Sequence, residues 1–239
     1  MLKRTLMLSL LLASGLLQAQ EQAPAANPAP AAEPAPAANP TPATENIAKP
    51  IIDSICMTCH GADGNNRIQK ADGTFSKTDG GADSPKLAGQ HPEYLFKQMR
   101  EFKDATRQNA VMNGMITMLA DNATMTAAAE YYSGQTLVPA DSANTKDTEA
   151  FLAGKKIWQR GVLSKGLPAC AACHGVSGKG ISAQYPALAG QYPDYLEAQL
   201  KAFRDNTRTN DPSKMMRDIA LKMTDQEIKL VSDFAAGLR

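Results

Sequence analysis

Cys56-Met57-Thr58-Cys59-His60 and Cys170-Ala171-Ala172-Cys173-His174 decide how this chain is read. The two pentapeptides use all four cysteines and two of the three histidines of the 239 residues. At this spacing two thiols add to the two vinyl groups of a haem, and the adjacent imidazole reaches the iron. One such pentapeptide is a weak sign. Two, with no cysteine left over, point to two covalently bound haem c groups. The iron then supplies the redox chemistry, and the protein supplies ligands, burial and a docking surface. Electron carriage is the expected role. Two structural disulfides leave the histidine after each cysteine pair unexplained; a zinc or thiol-redox protein is a further alternative, which a visible absorption spectrum settles.

Toward the N-terminus, Lys3 and Arg4 precede an apolar run from Leu6 to Leu17, and Ala19 offers a small residue for cleavage. Residues 1–19 therefore read as a signal peptide, with the periplasm as the expected destination. The run is short for a membrane span. An uncleaved signal acting as an N-terminal anchor is the alternative, giving a possible loose or N-terminal membrane association. Residues 20–49 are almost wholly Ala, Pro, Asn, Thr and Glu, and prolines from Pro24 to Pro42 oppose helix propagation. They are expected to be a disordered tether.

Beyond the tether the chain repeats itself. Pro85-Lys86-Leu87-Ala88-Gly89-Gln90-His91-Pro92-Glu93-Tyr94-Leu95 matches Pro186-Ala187-Leu188-Ala189-Gly190-Gln191-Tyr192-Pro193-Asp194-Tyr195-Leu196. The match continues through Gln98/Gln199, Phe102/Phe203, Asp104/Asp205 and Thr106-Arg107/Thr207-Arg208. Such dense self-similarity implies one fold present twice. The expected units are residues 50–135 and 148–239, joined by a linker over 136–147 that is marked by turn-forming residues.

Local patterns are helical. Pro92–Lys103 and Pro193–Phe203 carry apolar residues at helical spacing, each with proline in the first turn, where a missing N–H costs nothing. Thr148–Arg160 is amphipathic and holds Trp158, the lone tryptophan. Thr224 with Glu227 forms a capping box for the last helix, whose buried stripe is Ile228, Val231 and Phe234. No convincing alternating strand is found. The expectation is an all-α fold.

Tandem Cys-x-x-Cys-His units, each followed by Pro-x-Leu-Ala-Gly-Gln and Tyr-Leu, resemble the c4-type dihaem cytochromes from about Pro50 to the C-terminus. The resemblance implies two tandem class I cytochrome c domains related by internal duplication, with one His/Met haem in each. It also implies electron transfer toward a respiratory terminal oxidase.

His60 and His174 are the proximal ligands by adjacency. For the opposite side, Met112 precedes Leu119 by seven residues, as Met216 precedes Met223, and both lead into the final helix of their copy. That register makes Met112 and Met216 equivalent, and they match the axial methionines of the c4-type pattern. Met115 and Met215 are the competing thioethers. His91 could serve as a distal imidazole, but it aligns with Tyr192, and a surface or haem-edge role suits it better. In class I cytochromes a proline carbonyl after the haem motif accepts the other ring N–H of the proximal histidine, and the resemblance carries that role to Pro85 and Pro186.

The first copy carries extra residues between its motif and Pro85, within Ala62–Ser84. Asp63, Asp72, Asp79 and Asp83 hint at cation binding, but their spacing does not fit a calcium loop, so a solvated loop is expected. Charge is uneven: residues 50–139 carry 8 basic and 10 acidic side chains, residues 140–239 carry 14 and 11. Different docking partners for the two halves follow as an expectation. The partners expected are redox proteins: a quinol-oxidising complex or other donor, and a terminal oxidase as acceptor. With a net charge of +1 there is no support for nucleic-acid binding. An enzyme such as a dihaem peroxidase would need an open iron site and acid–base groups, which three histidines and a methionine in each half do not favour. A tethered electron-donating subunit of an oxidase or dehydrogenase is the remaining alternative.

Overall fold

The computed structural model describes residues 41–77, 84–140, 148–181 and 184–239. The expected signal peptide, tether residues 20–40, linker residues 141–147 and the acidic pair Asp79 and Asp83 lie outside the described residues.

The first lobe opens with α1 (Pro42–Ile51), which runs through a π-helical turn, Ile52–Cys56, into α2 (Met57–His60). A two-stranded hairpin follows, β1 (Arg67–Gln69) and β2 (Phe75–Lys77), then α3 (Pro92–Lys103), α4 (Ala110–Ile116) and α5 (Asn122–Ser133). The second lobe repeats the plan with α6 (Glu149–Arg160), α7 (Ala171–His174), α8 (Pro193–Arg204), α9 (Met215–Ala220) and α10 (Asp225–Ala236). In each lobe the first helix packs on the last, α1 on α5 and α6 on α10.

Two sequence expectations are corrected here. First, α1 begins inside the stretch expected to be a tether. Thr41 caps it by accepting from Thr44 N at 3.3 Å, and Pro42 sits in the first turn, where a proline is tolerated. The proline-rich composition hid this start. Ala48 and Ile52 are fully buried against α5, and burying an isoleucine contributes about 1.5–3 kcal/mol. Pro50 removes one ladder N–H, and the π-spaced turn follows at once, with Ser54 Oγ donating to Pro50 O at 2.6 Å.

Second, the insertion after the first haem motif is not simply a solvated loop. β1 and β2 pair antiparallel, Arg67 opposite Lys77 and Gln69 opposite Phe75. Strands of three residues are too short to show alternation. Ahead of them Asn65 and Asn66 are buried at 1% and 0% exposure. Asp63 and Asp72 are spent on turns: Asp63 accepts from Asn65 N and Arg67 Nε, and Asp72 from Thr74.

The first half of the expected linker is packed. Asn65 Oδ1 accepts from Val138 N at 2.7 Å, Asn65 Nδ2 donates to Thr136 O at 3.0 Å, and Ala140 N donates to Gly190 O at 2.8 Å. Residues 136–140 thus strap one lobe to the other.

The helices with clear sequence signals appear where expected. Thr224 and Glu227 form the capping box of α10. Trp158 is 1% exposed, its Nε1 donating to Val176 O at 3.2 Å. The Ala-Gly-Gln turns need glycine, because Gly89 and Gly190 take φ of +68° and +69°. Each turn docks on the end of its lobe's last helix, Gly89 N donating to Tyr132 O and Gly190 N to Ala235 O.

Candidate haem sites

Both haem motifs are shaped the same way. The cysteines straddle a single helical turn that ends on the histidine, and a glycine at φ near +77° reverses the chain: Gly61 at +76°, Gly175 at +79°. The carbonyl of each histidine is then tied down, by Asn66 N at 2.7 Å in the first lobe and Gly180 N at 2.9 Å in the second.

His60 Nδ1 lies 2.9 Å from Pro85 O, and His174 Nδ1 lies 2.9 Å from Pro186 O. A carbonyl can only accept, so Nδ1 carries the proton and Nε2 keeps its lone pair for a metal. The rings are 7% and 8% exposed. Burial pushes both imidazoles below their usual pKa, against the opposing pull of the carbonyl bonds, and so favours the neutral form that ligation requires. No disulfide joins the four cysteines. Burial lifts the Cys56 and Cys170 thiols to about 11.

A single cavity of about 940 Å³ runs between the lobes. Cys56, Cys59 and His60 line it from the first lobe, and Cys170, Cys173 and His174 from the second. Met112 and Met115 face it from α4, Met215 and Met216 from α9. The register of the two helices aligns one copy with the other. Ile116 and Ala220 close α4 and α9 as buried residues, and Leu119 and Met223 are buried three positions on. On that alignment Met115 is equivalent to Ile219 and Met215 to Val111. Met112 and Met216 are the position that is a thioether in both copies. His91 does not line the cavity; its Nε2 lies 3.0 Å from Lys179 O.

The cavity, its apolar walls and two neutral imidazoles beside cysteine pairs fit two covalently attached haems. Comparison with known proteins agrees. The cytochrome c family pattern matches residues 151–238. The thiosulfate dehydrogenase electron acceptor of Thiomonas intermedia is 39% identical over 191 residues, covering 80% of this chain and 81% of that protein. Cytochrome c4 of Pseudomonas aeruginosa is 37% identical over 187 residues, covering 77% and 84%. The crystal structure of cytochrome c4 from Pseudomonas stutzeri superposes with a TM-score of 0.68 at 31% identity, covering 80% of this chain and 98% of that one. A thiosulfate dehydrogenase from Marichromatium purpuratum gives 0.63 at 31% identity, although the match spans only 36% of that chain.

The chain belongs to the c4-type cytochromes.

As a c4-type cytochrome it carries two covalently bound haem c groups, one per cytochrome c domain, and its chemistry is electron transfer. The residues that sequence reasoning missed lie between the lobes. Gln90 Nε2 donates to Ala187 O and Gln90 Oε1 accepts from Ala187 N, both at 2.9 Å. Gln191 repeats this on Lys86, Nε2 to O and Oε1 from N, again both at 2.9 Å. This is the reciprocal pairing of a two-fold interface, with residue i meeting j and j meeting i. Tyr94, Gln98 and Arg107 meet Tyr195, Gln199 and Arg208 in the same manner. Periodicity assigned Tyr94 and Gln98 to an apolar face. Their signal was present in the sequence: each is polar and identical in both copies.

Proposed function

We propose that this c4-type cytochrome is a periplasmic dihaem electron carrier, handing electrons from a respiratory donor to a terminal oxidase. Cys56 and Cys59 hold one haem and Cys170 and Cys173 the other. His60 with Met112, and His174 with Met216, are the axial pairs, with Pro85 and Pro186 orienting the imidazoles. The observation that carries this reading is the pairing, in each lobe, of a buried imidazole pinned through Nδ1 with a thioether on the same cavity. A haem ligated on both faces exchanges electrons and offers no open position for substrate. The protein itself binds, orients and excludes water; it is read as no enzyme.

Export rests on the N-terminal sequence. Among the described residues no helix is long and apolar enough to cross a membrane. Two relatives named as thiosulfate dehydrogenase electron acceptors favour a second donor: a dehydrogenase oxidising a small sulfur anion, in place of a quinol-oxidising complex. The test is a spectroelectrochemical titration of exported holoprotein, followed by mixing of the oxidised form with each class of donor. Two low-spin haems, each with the near-infrared band of sulfur-to-ferric-iron ligation, and fast reduction by one donor are expected. Rapid peroxide turnover, or a mature mass equal to the bare polypeptide, refutes the reading.

A further inference from the structure

One apolar side chain of the second lobe stands almost wholly in water. Leu163 is 90% exposed and opens the turn Leu163–Lys165. The turn is braced on every side. Val162 N donates to Leu167 O at 2.9 Å, and Leu167 N returns to Val162 O at 3.1 Å. Leu167 is buried and anchors the base. Gly161 and Gly166 take φ of +65° and +62°, and a Cβ on Gly161 would meet the Leu167 carbonyl. Lys165 Nζ holds Glu227 at 2.7 Å, and Lys222 Nζ donates to Gly166 O at 2.8 Å. A single exposed leucine needs no explanation. One held out by a turn this well tied is a preformed contact, with little ordering cost left at association.

The Lys222 bond ties the turn to the end of α9, where Leu221 is 70% exposed. Both segments flank the second haem site. The turn leads to Pro168, Ala169 and Cys170, and Leu221–Lys222 lead to Met223, all on the haem cavity. Among the described residues the first lobe has no counterpart: α1 passes through its π-helical turn straight into the haem motif, and Met118 holds the position of Lys222.

The surround is cationic. Arg160 at the base of the turn, Lys222, and Lys214, which shares a recess with Leu221, are all exposed. None of the three forms an ion pair among the described residues. Asp218 on that recess opposes them, whereas Asp225 and Glu227 are already taken by Arg204 and Lys165. The excess follows that of the whole half, 14 basic against 11 acidic side chains over residues 140–239. An apolar centre inside a charged rim is the anatomy of a protein interface, and a basic rim selects an acidic one opposite.

We propose that Leu163, with Leu221, anchors the docking site of an acidic redox protein, one whose contact face is an apolar recess rimmed by carboxylates. The exchange moves one electron and forms no bond: the partner is oxidised as the ferric iron of the second lobe is reduced, or the reverse. The inference rests on the haem placement given under Proposed function.

The test is stopped-flow reduction of ferric holoprotein by reduced plant-type ferredoxin, an acidic iron–sulfur protein, with the bimolecular rate constant read at low and high salt. The unaltered protein is expected to lose about tenfold in rate as salt rises. Lys214→Glu with Lys222→Glu lowers the low-salt rate about tenfold and flattens the salt slope. Lys214→Glu alone carries that reading should loss of the Gly166 bond loosen the turn. Leu163→Ser and Leu221→Ser change no charge, and each lowers the rate about fivefold at every salt concentration. Lys155→Glu with Lys156→Glu repeats the charge change at exposed positions of α6 and moves the rate less. Met118→Glu puts an acid at the matching position of the first lobe and leaves the rate in place.

Rates indifferent to both serine variants overturn the anchor. An equal response to the α6 pair shows bulk attraction and overturns the site. A fall with Met118→Glu alone moves the port to the first lobe and overturns it too. So does sedimentation in which the unaltered holoprotein is a dimer and Leu163→Ser a monomer, since the occupant is then a second copy. Reductive titration with dithionite separates the two readings. Holoprotein without two reducible haems fails the carrier reading and takes the docking site with it; two reducible haems with serine variants matching the parent fail the docking site alone.

Discussion

Gln90 is the residue through which the first lobe grips the second at its haem site. Its side chain holds both backbone groups of Ala187, the residue after Pro186, whose carbonyl orients His174. Gln90 is 8% exposed, and its Oε1 also accepts from His91 N at 3.0 Å. Replacing it with leucine keeps the bulk and deletes the hydrogen bonds. Ala187 N–H and C=O then lose their partners in a place with little access to water, at about 1–3 kcal/mol for each unsatisfied group. Partial relaxation brings the expected loss for Gln90→Leu to about 2–4 kcal/mol.

Guanidinium unfolding of the holoprotein, followed by the haem absorption band and by tryptophan fluorescence from Trp158, measures this loss. Gln191→Leu is the control, since it makes the same two bonds on Lys86. It should cost a similar amount. The double variant should cost less than the two added together, because the first substitution already loosens the interface that the second acts on. The histidine ring adds a local readout: Gln90→Leu should perturb the hyperfine-shifted His174 signals of the ferric protein more than those of His60. If each single variant falls within 0.5 kcal/mol of the parent, the interlobe bonds carry no stability and the reasoning is refuted.

Three further outcomes are expected. Met112→Leu and Met216→Leu should each remove one haem's share of the near-infrared sulfur band, while Met115→Leu and Met215→Leu leave it intact; an unchanged band in Met112→Leu shifts the assignment to Met115. Gly154→Ala should destabilise the second lobe by about 1–3 kcal/mol through overpacking, because an added Cβ meets the Leu230 carbonyl and lies 2.9 Å from Phe234 Cβ where α6 crosses α10; thermal unfolding within 0.3 kcal/mol of the parent contradicts that close crossing. Glu227 is pushed up by partial burial but held lower overall by Lys165 and Thr224. A depressed folded pKa means its stabilisation is full above the unfolded carboxyl value of about 4.3 and fades as pH falls through the folded value, so Glu227→Gln should flatten the acid limb of the stability curve, and an unaltered limb counts against it.

What the sequence disclosed and what it concealed follow physical lines. The haem motifs were legible because covalent attachment and ligation demand fixed residue types at fixed spacing. Helices α3, α6, α8 and α10 were legible because each has a long apolar stripe and a recognisable start, such as Pro92, Thr148, Pro193 or Thr224. Helix α1 was concealed because its start, Thr41-Pro42, sits at the end of a proline-rich run whose composition speaks against a core. The hairpin and the buried Asn65 and Asn66 were concealed because their role is a matter of backbone shape. Asn66 takes φ of +52°, donates N–H to His60 O and sends Nδ2 to Ser84 O at 2.6 Å, closing the loop that brings Pro85 to His60. Gly180 does the first part of that work in the second lobe, where the loop is shorter.

Duplication adds a rule of its own. When two copies of a fold pack about a two-fold axis, the surface between them is made from the same positions taken twice, so a polar residue kept in both copies can bond reciprocally across it. Gln90/Gln191, Tyr94/Tyr195, Gln98/Gln199 and Arg107/Arg208 are identical pairs, and each makes reciprocal bonds across the lobes. Positions that face away are free to diverge. Among the described residues the first lobe alone has its hairpin, and the second alone has the turn at Leu163–Lys165 between its opening helix and Cys170, with Leu163 90% exposed. A polar residue repeated on an otherwise apolar helix face is therefore a statement about pairing. Gln98 carries it most plainly: it is 6% exposed, and its Oε1 accepts from the arginines of both lobes.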